Sequence, residues 1–164
     1  MPDIKLDEID LKILKTLQDN GRTKRNKLAE EVKLSIPSVS ERLRKLEASG
    51  VIRGYHSVLD ARSVGLEVTA FIFLTTESSK FYAKIIERAN EHEEILECHA
   101  ITGDGSHILK IRTESTETLE SLLSKIQAWP GVVNTRTDVV LSSPKETNVL
   151  PLSQLKKQDF TKER

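Results

Sequence analysis

The residues of this 164-residue sequence that are best suited to chemistry lie on one predicted helix, which follows Ser35 and ends at Gly50. Its outer side and flanks carry small polar, basic and acidic residues at helical spacing: Ser38, Ser40, Glu41, Arg42, Arg44 and Lys45. A serine hydroxyl donates or accepts hydrogen bonds at base edges, and arginine or lysine suits O6 and N7 of guanine. The pattern predicts a helix that contacts base edges in double-stranded DNA.

Further basic residues surround this helix in the sequence. Arg22, Lys24 and Arg25 stand at the start of the preceding predicted helix, and Arg53 follows the third. We expect these cations to contact phosphates, which position a protein on the duplex without specifying sequence. The candidate DNA-contacting residues are Arg22, Lys24, Arg25, Ser35, Ser38, Ser40, Glu41, Arg42, Arg44, Lys45 and Arg53.

The charge of the chain is divided between its two parts. The totals are 25 basic and 25 acidic residues, which excludes a uniformly basic surface for nucleic acid. Residues 22–53 nevertheless contain nine basic and four acidic residues, whereas residues 66–143 contain seven basic and twelve acidic residues. The first segment suits phosphate contact and the second would repel phosphates. The alternative is that solvated surfaces differ in sign by chance.

Three helices are expected in the first third of the chain. Asp7, Thr23 and Ser35 are the predicted N-terminal caps, and Asn20-Gly21 and Gly50 end the first and third helices. Pro37 fits the first turn of the third helix. The apolar side of the third helix consists of Ile36, Val39, Leu43 and Leu46. The short link 33–35 predicts a helix-turn-helix; the alternative is a three-helix interaction module with an ordinary solvated face.

The rest of the chain predicts an α+β domain. Val51–Tyr55 is expected to form a strand or wing, with a linker after it. Predicted strands at Val68–Thr76, Ile95–Thr102, His107–Thr113 and Val132–Leu141 alternate with two helices in the order β-α-β-β-α-β, a ferredoxin-like arrangement. Residues 103–106 form the turn between the second and third strands.

The first of these strands is apolar on both faces, so one layer of helices cannot cover it. Ala70, Ile72 and Leu74 alternate with Phe71 and Phe73. We expect a second copy of the chain to cover the other face of the sheet, or to pair with its edge, in a homodimer. The predicted divisions are a DNA-binding domain at 1–54, a linker at 55–66, an effector and dimerisation domain at 67–152 and a flexible tail at 153–164. Val149, Leu150 and Leu152 are expected to add an edge strand.

Composition excludes several classes of protein. The single cysteine, Cys98, rules out an internal disulfide framework and a cysteine-based zinc site. No apolar run is long enough for a membrane helix, and the N-terminus has no signal-peptide pattern. We therefore expect a soluble, cytoplasmic protein, associated with the nucleoid, that has no membrane partner and no cofactor.

Catalytic and metal sites are not predicted. His99 and His107 lie on neighbouring predicted strands with the same parity, so they either approach each other or are ordinary strand histidines. Cys98 and His99 are adjacent on a strand and therefore face opposite sides, which disfavours a nucleophile–base pair. Three functional hypotheses remain: a DNA-binding regulator with an effector domain, an enzyme resembling haem-precursor decarboxylases of similar architecture, and an architectural DNA-binding protein without an effector.

Seven motifs, in order and spacing, resemble those of the Lrp/AsnC (feast/famine) family of transcriptional regulators. They are Leu6–Asp10 with Ile13-Leu14, Leu28–Val32, Glu41–Glu47, Gly50–Tyr55, Glu97–Asp104, Pro130–Val132 and Thr135–Thr137. The resemblance runs from about Leu6 to Leu152. It implies a winged helix-turn-helix joined to a ferredoxin-like effector domain, dimers that assemble further, and an amino acid or related metabolite as effector.

The resemblance also places the effector cleft at the turn between the second and third strands. The residues implied are Thr102, Gly103, Asp104, Gly105 and Ser106, together with Thr135. The family usually has a bulky residue at position 105 and aspartate at 106, so Gly105 and Ser106 remove a wall and a carboxylate. Ser106 is expected to retain one hydrogen-bond acceptor for a ligand. Lys24 also departs from the family, since a capping serine is usual there.

Overall fold

A computed structural model describes residues 5–103 and 105–154, which form two compact units. The first unit combines the residues up to Val58 with those from Glu146 onward, and the second unit spans Leu59–Lys145. The chain therefore leaves the first unit and returns to it. This division differs from the sequence-based one, which placed residues 146–152 in the second domain.

The described part of the first unit contains three α-helices, α1 (Glu8–Asp19), α2 (Arg25–Val32) and α3 (Ile36–Ala48), and a short 3-10 helix at Leu152–Gln154. Asp7 caps α1 in a reciprocal arrangement with Asp10: each residue's backbone N–H donates to the other's carboxylate. Ser35 accepts from the N–H of Ser38 at the start of α3. Gly50 has a φ of +76° just beyond the end of α3, a left-handed conformation that glycine adopts without steric cost. These predicted boundaries are confirmed.

The start of α2 differs from the prediction. Lys24 occupies the cap position, and its side chain makes no capping bond. The Thr23 hydroxyl instead donates to the carbonyl oxygen of Asn20, 2.7 Å away. Thr23 therefore closes the turn after α1 rather than capping α2.

The core of the first unit lies between the three helices. Ile13, Leu28 and Val39 are almost completely buried, and Leu43 and Leu46 continue the buried side of α3. Ile36 was expected on the same side, but 48% of it is exposed. It is the first residue of α3, where the helix has only begun to pack against its neighbours.

The expected strand at Val51–Tyr55 is absent: Val51 and Ile52 form a bend, and the residues that follow have no strand pairing. The N–H of Ile52 donates to the carbonyl oxygen of Leu46, and the Tyr55 hydroxyl donates to Glu47. Ile52 also packs against the core. The β-branched side chain of Ile52, which contributed to the strand prediction, thus packs this segment against the helical core.

The second unit has the predicted element order: β1 (Val68–Thr76), α4 (Tyr82–Asn90), β2 (Ile95–Ala100), β3 (His107–Thr113), α5 (Thr116–Gln127) and β4 (Val132–Val139). The four strands form an antiparallel sheet in the order β2-β3-β1-β4. The ferredoxin-like prediction is confirmed, although β2 and β4 each end two residues earlier than expected. Ser115 caps α5, one of the two residues predicted for that role.

The two faces of the sheet are unequally covered. Ala70, Ile72 and Leu74 of β1 are fully buried under α4 and α5, together with Leu109 and Ile111 of β3. Phe71, Phe73 and Ile108 project to the other face and are only half-buried. Arg136 of β4 lies over the Phe73 ring, with its guanidinium carbon 4.1 Å from the ring centroid.

The described part of the returning segment, residues 146–154, contacts the helices of the first unit and forms no edge strand. Gln18 of α1 donates to the carbonyl oxygen of Leu150 and accepts from its N–H, at 3.2 and 2.7 Å. Leu152 packs against the core of the helical unit. Of the predicted flexible tail at 153–164, Ser153 and Gln154 belong to the 3-10 helix Leu152–Gln154, and the rest lies outside the described residues. Within residues 5–103 and 105–154, no helix is both long and apolar enough to cross a membrane.

Candidate nucleic-acid interface and effector turn

The outer side of α3 presents the residues that the sequence pattern selected. Ser38, Glu41, Arg44 and Lys45 are exposed, whereas Ser40 and Arg42 are half-buried. An open groove of about 870 Å³ runs beside them, bordered by α3 and the chain at the start of α1. The Ser38 hydroxyl lies 2.8 Å from the Ser35 hydroxyl, so the N-terminal turn of α3 holds two hydroxyls together at the surface.

Glu41 joins the two basic residues of this surface. Its carboxylate accepts two hydrogen bonds from Arg44, from Nε at 2.9 Å and from Nη2 at 2.7 Å. The Lys45 ammonium lies 3.8 Å from the same carboxylate. The hydrogen bond from Arg44 holds the pKa of Glu41 below its usual value, and the pKa of Arg44 is raised by the same bond. Glu41 is therefore ionised at neutral pH.

Arg42 has a different role from the one expected, because its side chain turns toward α1. Nη1 donates to Asp7 Oδ2 and to Asp10 Oδ1, both at 2.7 Å. The other oxygen of each carboxylate accepts a backbone N–H in the α1 cap, so all four oxygens are used. Burial opposes ionisation of Asp7, but the Asp10 N–H and Arg42 hydrogen bonds hold the pKa of Asp7 below its usual value.

The remaining cations of the predicted interface are exposed and lie outside the ion pairs of the described chain. Arg22, Lys24 and Arg25 lie at the turn into α2, and Arg53 lies beyond α3. Within residues 5–103 and 105–154, none of these four side chains makes an ion pair or a hydrogen bond. Such cations can neutralise phosphates without first breaking an internal contact.

The second candidate site lies at the turn between β2 and β3. Thr102, Gly103, Gly105 and Ser106 belong to the described chain, whereas Asp104 lies outside it. A cavity of about 390 Å³ opens at this turn. It is lined by Thr75, Thr76, Ser78, Ser79, Tyr82, Gly103, Gly105 and Ser106. The Ser78 hydroxyl is buried and has no hydrogen-bond partner among the described residues.

Sequence reasoning missed the part of this lining that comes from the end of β1 and the start of α4. Thr75-Thr76 and Ser78-Ser79 carry four hydroxyls in five residues, a signal available in the sequence. What the sequence did not show is that these hydroxyls lie beside the 103–106 turn. The link is the Ser106 N–H, which donates to the carbonyl oxygen of Leu74 at 2.7 Å.

The Ser106 hydroxyl, which was expected to accept a hydrogen bond from a ligand, already has two partners within the unit. It donates to the carbonyl oxygen of Leu74 and lies 3.1 Å from Nδ1 of His107. Because that hydroxyl proton is already used, Nδ1 of His107 carries the proton of their shared bond. Thr135 on β4 stands opposite Leu74 in the sheet and accepts from the side chain of Gln127. The polar groups of both residues are thus engaged within the unit.

The two strand histidines lie on opposite faces of the sheet and do not approach each other. His107 is buried beneath the Tyr82 ring, and burial lowers its pKa. His99 is paired with Ile108 on the other face, where it bonds to Glu97 at 3.0 Å. Cys98 faces the helices and is half-buried, and burial raises the pKa of its thiol. In the described part of the chain, no cluster of three or more metal-ligating residues was found.

Comparison with known proteins agrees with this two-part arrangement. A family model described as winged helix-turn-helix DNA-binding matches residues 6–53, and one described as Lrp/AsnC ligand binding domain matches residues 69–150. The chain belongs to the Lrp/AsnC family. It is a DNA-binding transcriptional regulator with a ligand-binding domain, as the sequence motifs predicted.

Relatives in this family match over nearly the whole chain. The HTH-type transcriptional regulator FL11 of Pyrococcus abyssi is 37% identical over 149 residues, covering 91% of this chain and 98% of FL11. The leucine-responsive regulatory protein of Haemophilus influenzae is 36% identical over 152 residues, covering 90% of each chain.

Solved structures of the family share the same architecture. The transcriptional regulator NMB0573 of Neisseria meningitidis, in complex with L-Met, has a TM-score of 0.85 and 32% identity, covering 92% of this chain and 99% of that one. The feast or famine regulatory protein of M. tuberculosis, complexed with L-methionine, has a TM-score of 0.82 and 30% identity, covering 88% and 98%.

Proposed function

We propose that this regulator binds double-stranded DNA as a homodimer by placing α3 in the major groove. The observation that carries this proposal is the exposure of Ser38, Arg44 and Lys45 on one side of α3, whose other side is buried in the core. Serine near the start of such a helix and arginine farther along its exposed side suit direct contact with base edges.

The cations outside α3 fix the position of the protein on the duplex. Arg22, Lys24, Arg25 and Arg53 are exposed, and their side chains make no ion pair or hydrogen bond in the described chain, so their contacts are with phosphates. Arg42 contributes by holding α3 against α1 through Asp7 and Asp10 rather than by touching a base. Ser35 and Ser40 stand beside the contact surface, where they bind backbone phosphates.

Genome-wide selection of DNA fragments by the purified protein, followed by fluorescence anisotropy on a selected and a scrambled duplex, tests this function. We expect a specific site bound about 10³-fold or more tightly than the scrambled duplex. We also expect affinity to fall steeply with added salt, since phosphate contacts release counterions. Equal affinity for both duplexes would favour an architectural DNA-binding protein instead.

A second copy of the chain is the partner that suits the open face of the sheet. Phe71, Phe73 and Ile108 are apolar and half-buried on that face, and a monomer would leave them in contact with water. Pairing two such faces would bury these side chains around a two-fold axis. Sedimentation of the purified protein is expected to give twice the 18.5 kDa chain mass, or a multiple of it.

The effector of this chain is an amino acid or a related small molecule that binds at the 103–106 turn. Two structurally similar regulators are described as complexes with L-methionine, and the cavity at this turn lies in the matched ligand-binding domain. Light scattering and thermal denaturation with each of the twenty amino acids would test this. A change in assembly mass or melting temperature supports binding; no change with any of them rules amino acids out.

A specific observation keeps the effector-free architectural function as a second candidate. The side chains that line this cavity within the described residues are hydroxyls, and none is a carboxylate that could pair with an ammonium group. An effector-free protein would bind selected and scrambled duplexes alike and show no ligand-dependent melting. The chain is not an enzyme in either case, which its regulator relatives support, and it acts in the cytoplasm on the nucleoid.

A further inference from the structure

The contact between Glu41 and Arg44 occupies one particular edge of the arginine. The two residues are three positions apart on α3 and both face solvent, with side-chain exposures of 49% and 67%. Two nearly parallel hydrogen bonds join Nε and Nη2 of Arg44 to the two oxygens of Glu41. This is the bidentate arrangement in which a carboxylate fixes the plane of a guanidinium group.

The neighbouring edge of the same guanidinium, formed by Nη1 and Nη2, remains available. Arginine has five N–H bonds in one plane, of which Glu41 takes the one on Nε and one on Nη2. The two on Nη1 and the second on Nη2 have no acceptor within residues 5–103 and 105–154. A pair of donors from Nη1 and Nη2 matches the O6 and N7 acceptors of guanine.

Glu41 also changes how this surface responds to phosphate. An ionised carboxylate within 4 Å of both Arg44 and Lys45 offsets part of their positive charge and repels a phosphate that approaches either one. Contacts with phosphates give affinity for DNA of any sequence, whereas a contact with the edge of a guanine gives affinity only for DNA that carries guanine at that position. The carboxylate thus disfavours the first kind of contact and orients Arg44 for the second.

A contribution to folding stability does not explain the ion pair between Glu41 and Arg44. Exposed ion pairs one helical turn apart contribute little to folding, because water screens the charges and two long side chains lose freedom. The neighbouring Arg42 does hold the fold together, but its guanidinium is directed at α1 and does not touch Glu41.

We propose that Glu41 is a specificity-determining positioning residue, which orients Arg44 toward a guanine and weakens binding to DNA of arbitrary sequence. The proposal rests on the proposed function, in which α3 contacts base edges. It makes Glu41, an acidic residue on a DNA-binding surface, a contributor to discrimination rather than a passive solvated side chain.

The test compares Glu41→Gln with the wild-type chain on a selected duplex that contains the specific site and on its scrambled counterpart. Removing the charge is expected to tighten scrambled binding several-fold while specific binding stays level or weakens, so the ratio of the two affinities falls about 10-fold. The slope of log K against log salt on scrambled DNA is expected to steepen by about one. Glu30→Gln is the matched control, since Glu30 is an exposed acid of the same unit on α2 that makes no contact with Arg44.

The Arg44→Ala variant distinguishes a failure of the role proposed for Glu41 from a failure of the proposed function. If Glu41 acts through Arg44, Glu41→Gln has no more effect than Glu30→Gln on the affinity ratio in the Arg44→Ala background. If the wild type discriminates and Arg44→Ala loses discrimination, but Glu41→Gln keeps the wild-type ratio, the role of Glu41 is overturned and the proposed function stands. If the wild type does not prefer any selected duplex, the proposed function fails and this inference fails with it.

Discussion

Arg42 Nη1 donates a hydrogen bond to Asp7 Oδ2 across 2.7 Å, which joins the middle of α3 to the residue that caps α1. Asp10 shares the same nitrogen and completes the α1 cap. The helix proposed to contact DNA is therefore held against a neighbouring helix terminus by Arg42, whose side chain is separate from the exposed Ser38, Arg44 and Lys45. Stability of the first unit and orientation of α3 depend on the same three side chains.

Replacing Arg42 with methionine keeps most of the aliphatic side chain and leaves Asp7 and Asp10 without their cation. We expect the first unit to lose about 1–3 kcal/mol, toward the lower end because about half of the Asp7 side chain is exposed. Hydrogen exchange of amides in α1 and α3 measures this loss. Arg44→Met, which removes an exposed cation from the same helix, should change exchange by less than about 0.5 kcal/mol; equal effects of the two variants would contradict a special role for Arg42.

Acid should weaken the first unit through Asp7. Its pKa is lower in the folded chain than the ordinary value of 3.8, so the unfolded chain binds a proton more readily. The stabilisation is fully present above that ordinary value and is lost as the pH falls through the folded pKa. Exchange of α1 amides measured between pH 2.5 and 5.5, with Asp7→Asn as the comparison, is expected to show a smaller pH dependence in the variant. Identical pH profiles would remove Asp7 as the source.

The second unit should respond to pH through His107. Burial lowers its pKa below 6.5, and the unfolded chain therefore takes up a proton at a higher pH than the folded chain does. We expect this unit to lose stability as the pH falls below 6.5, and His107→Phe to reduce the loss. Fluorescence of Trp129, which lies in the core of this unit, follows unfolding in urea. The control is His99→Gln, which alters an exposed histidine on the other face of the sheet. The stability of this variant should depend on pH as it does in the wild type.

Local sequence signals predicted most of the elements, because caps and hydrophobic periodicity act over a few residues. Asp7, Ser35 and Ser115 cap the helices that they were expected to cap, and β1 and β3 have their predicted bounds. Contacts between distant residues were not predictable in this way. Asp7, one partner of Arg42, lies 35 residues earlier in the chain, so helical spacing placed Arg42 beside the exposed side of α3 without showing that the start of α1 binds its side chain.

Contacts between distant residues also decide the structure of the 103–106 turn and of the end of the chain, which is why local sequence signals did not predict them. The composition of Val51–Tyr55 and of residues 149–152 is compatible with a strand, and only packing against the first unit decides otherwise. At position 106, the family resemblance implied that a carboxylate is replaced by serine. That the Ser106 hydroxyl is already bonded to Leu74 and His107 depends on the pairing of β1 with β3.

Residues 146–154, which follow the second unit in the chain, belong to the first unit. The stability of the helical unit is therefore expected to depend on them. Gln18 pairs with both backbone groups of Leu150, and Leu152 packs against the helical core. Leu152→Ala is expected to cost the first unit about 1 kcal/mol, because it removes apolar contact from a half-buried position. Leu141→Ala, at a leucine that is 92% exposed, should cost almost nothing.

Hydrogen exchange distinguishes the first unit from the second in the same sample. Faster exchange in α1 and α2 of Leu152→Ala, with exchange in β1 and β3 unchanged, is the expected result. Adding Gln18→Ala should accelerate exchange in α1 further, because the two contacts hold one segment. If Leu152→Ala leaves α1 and α2 at wild-type rates, the segment contributes nothing to the helical unit. The residues after the effector domain would then be only an extension of the chain.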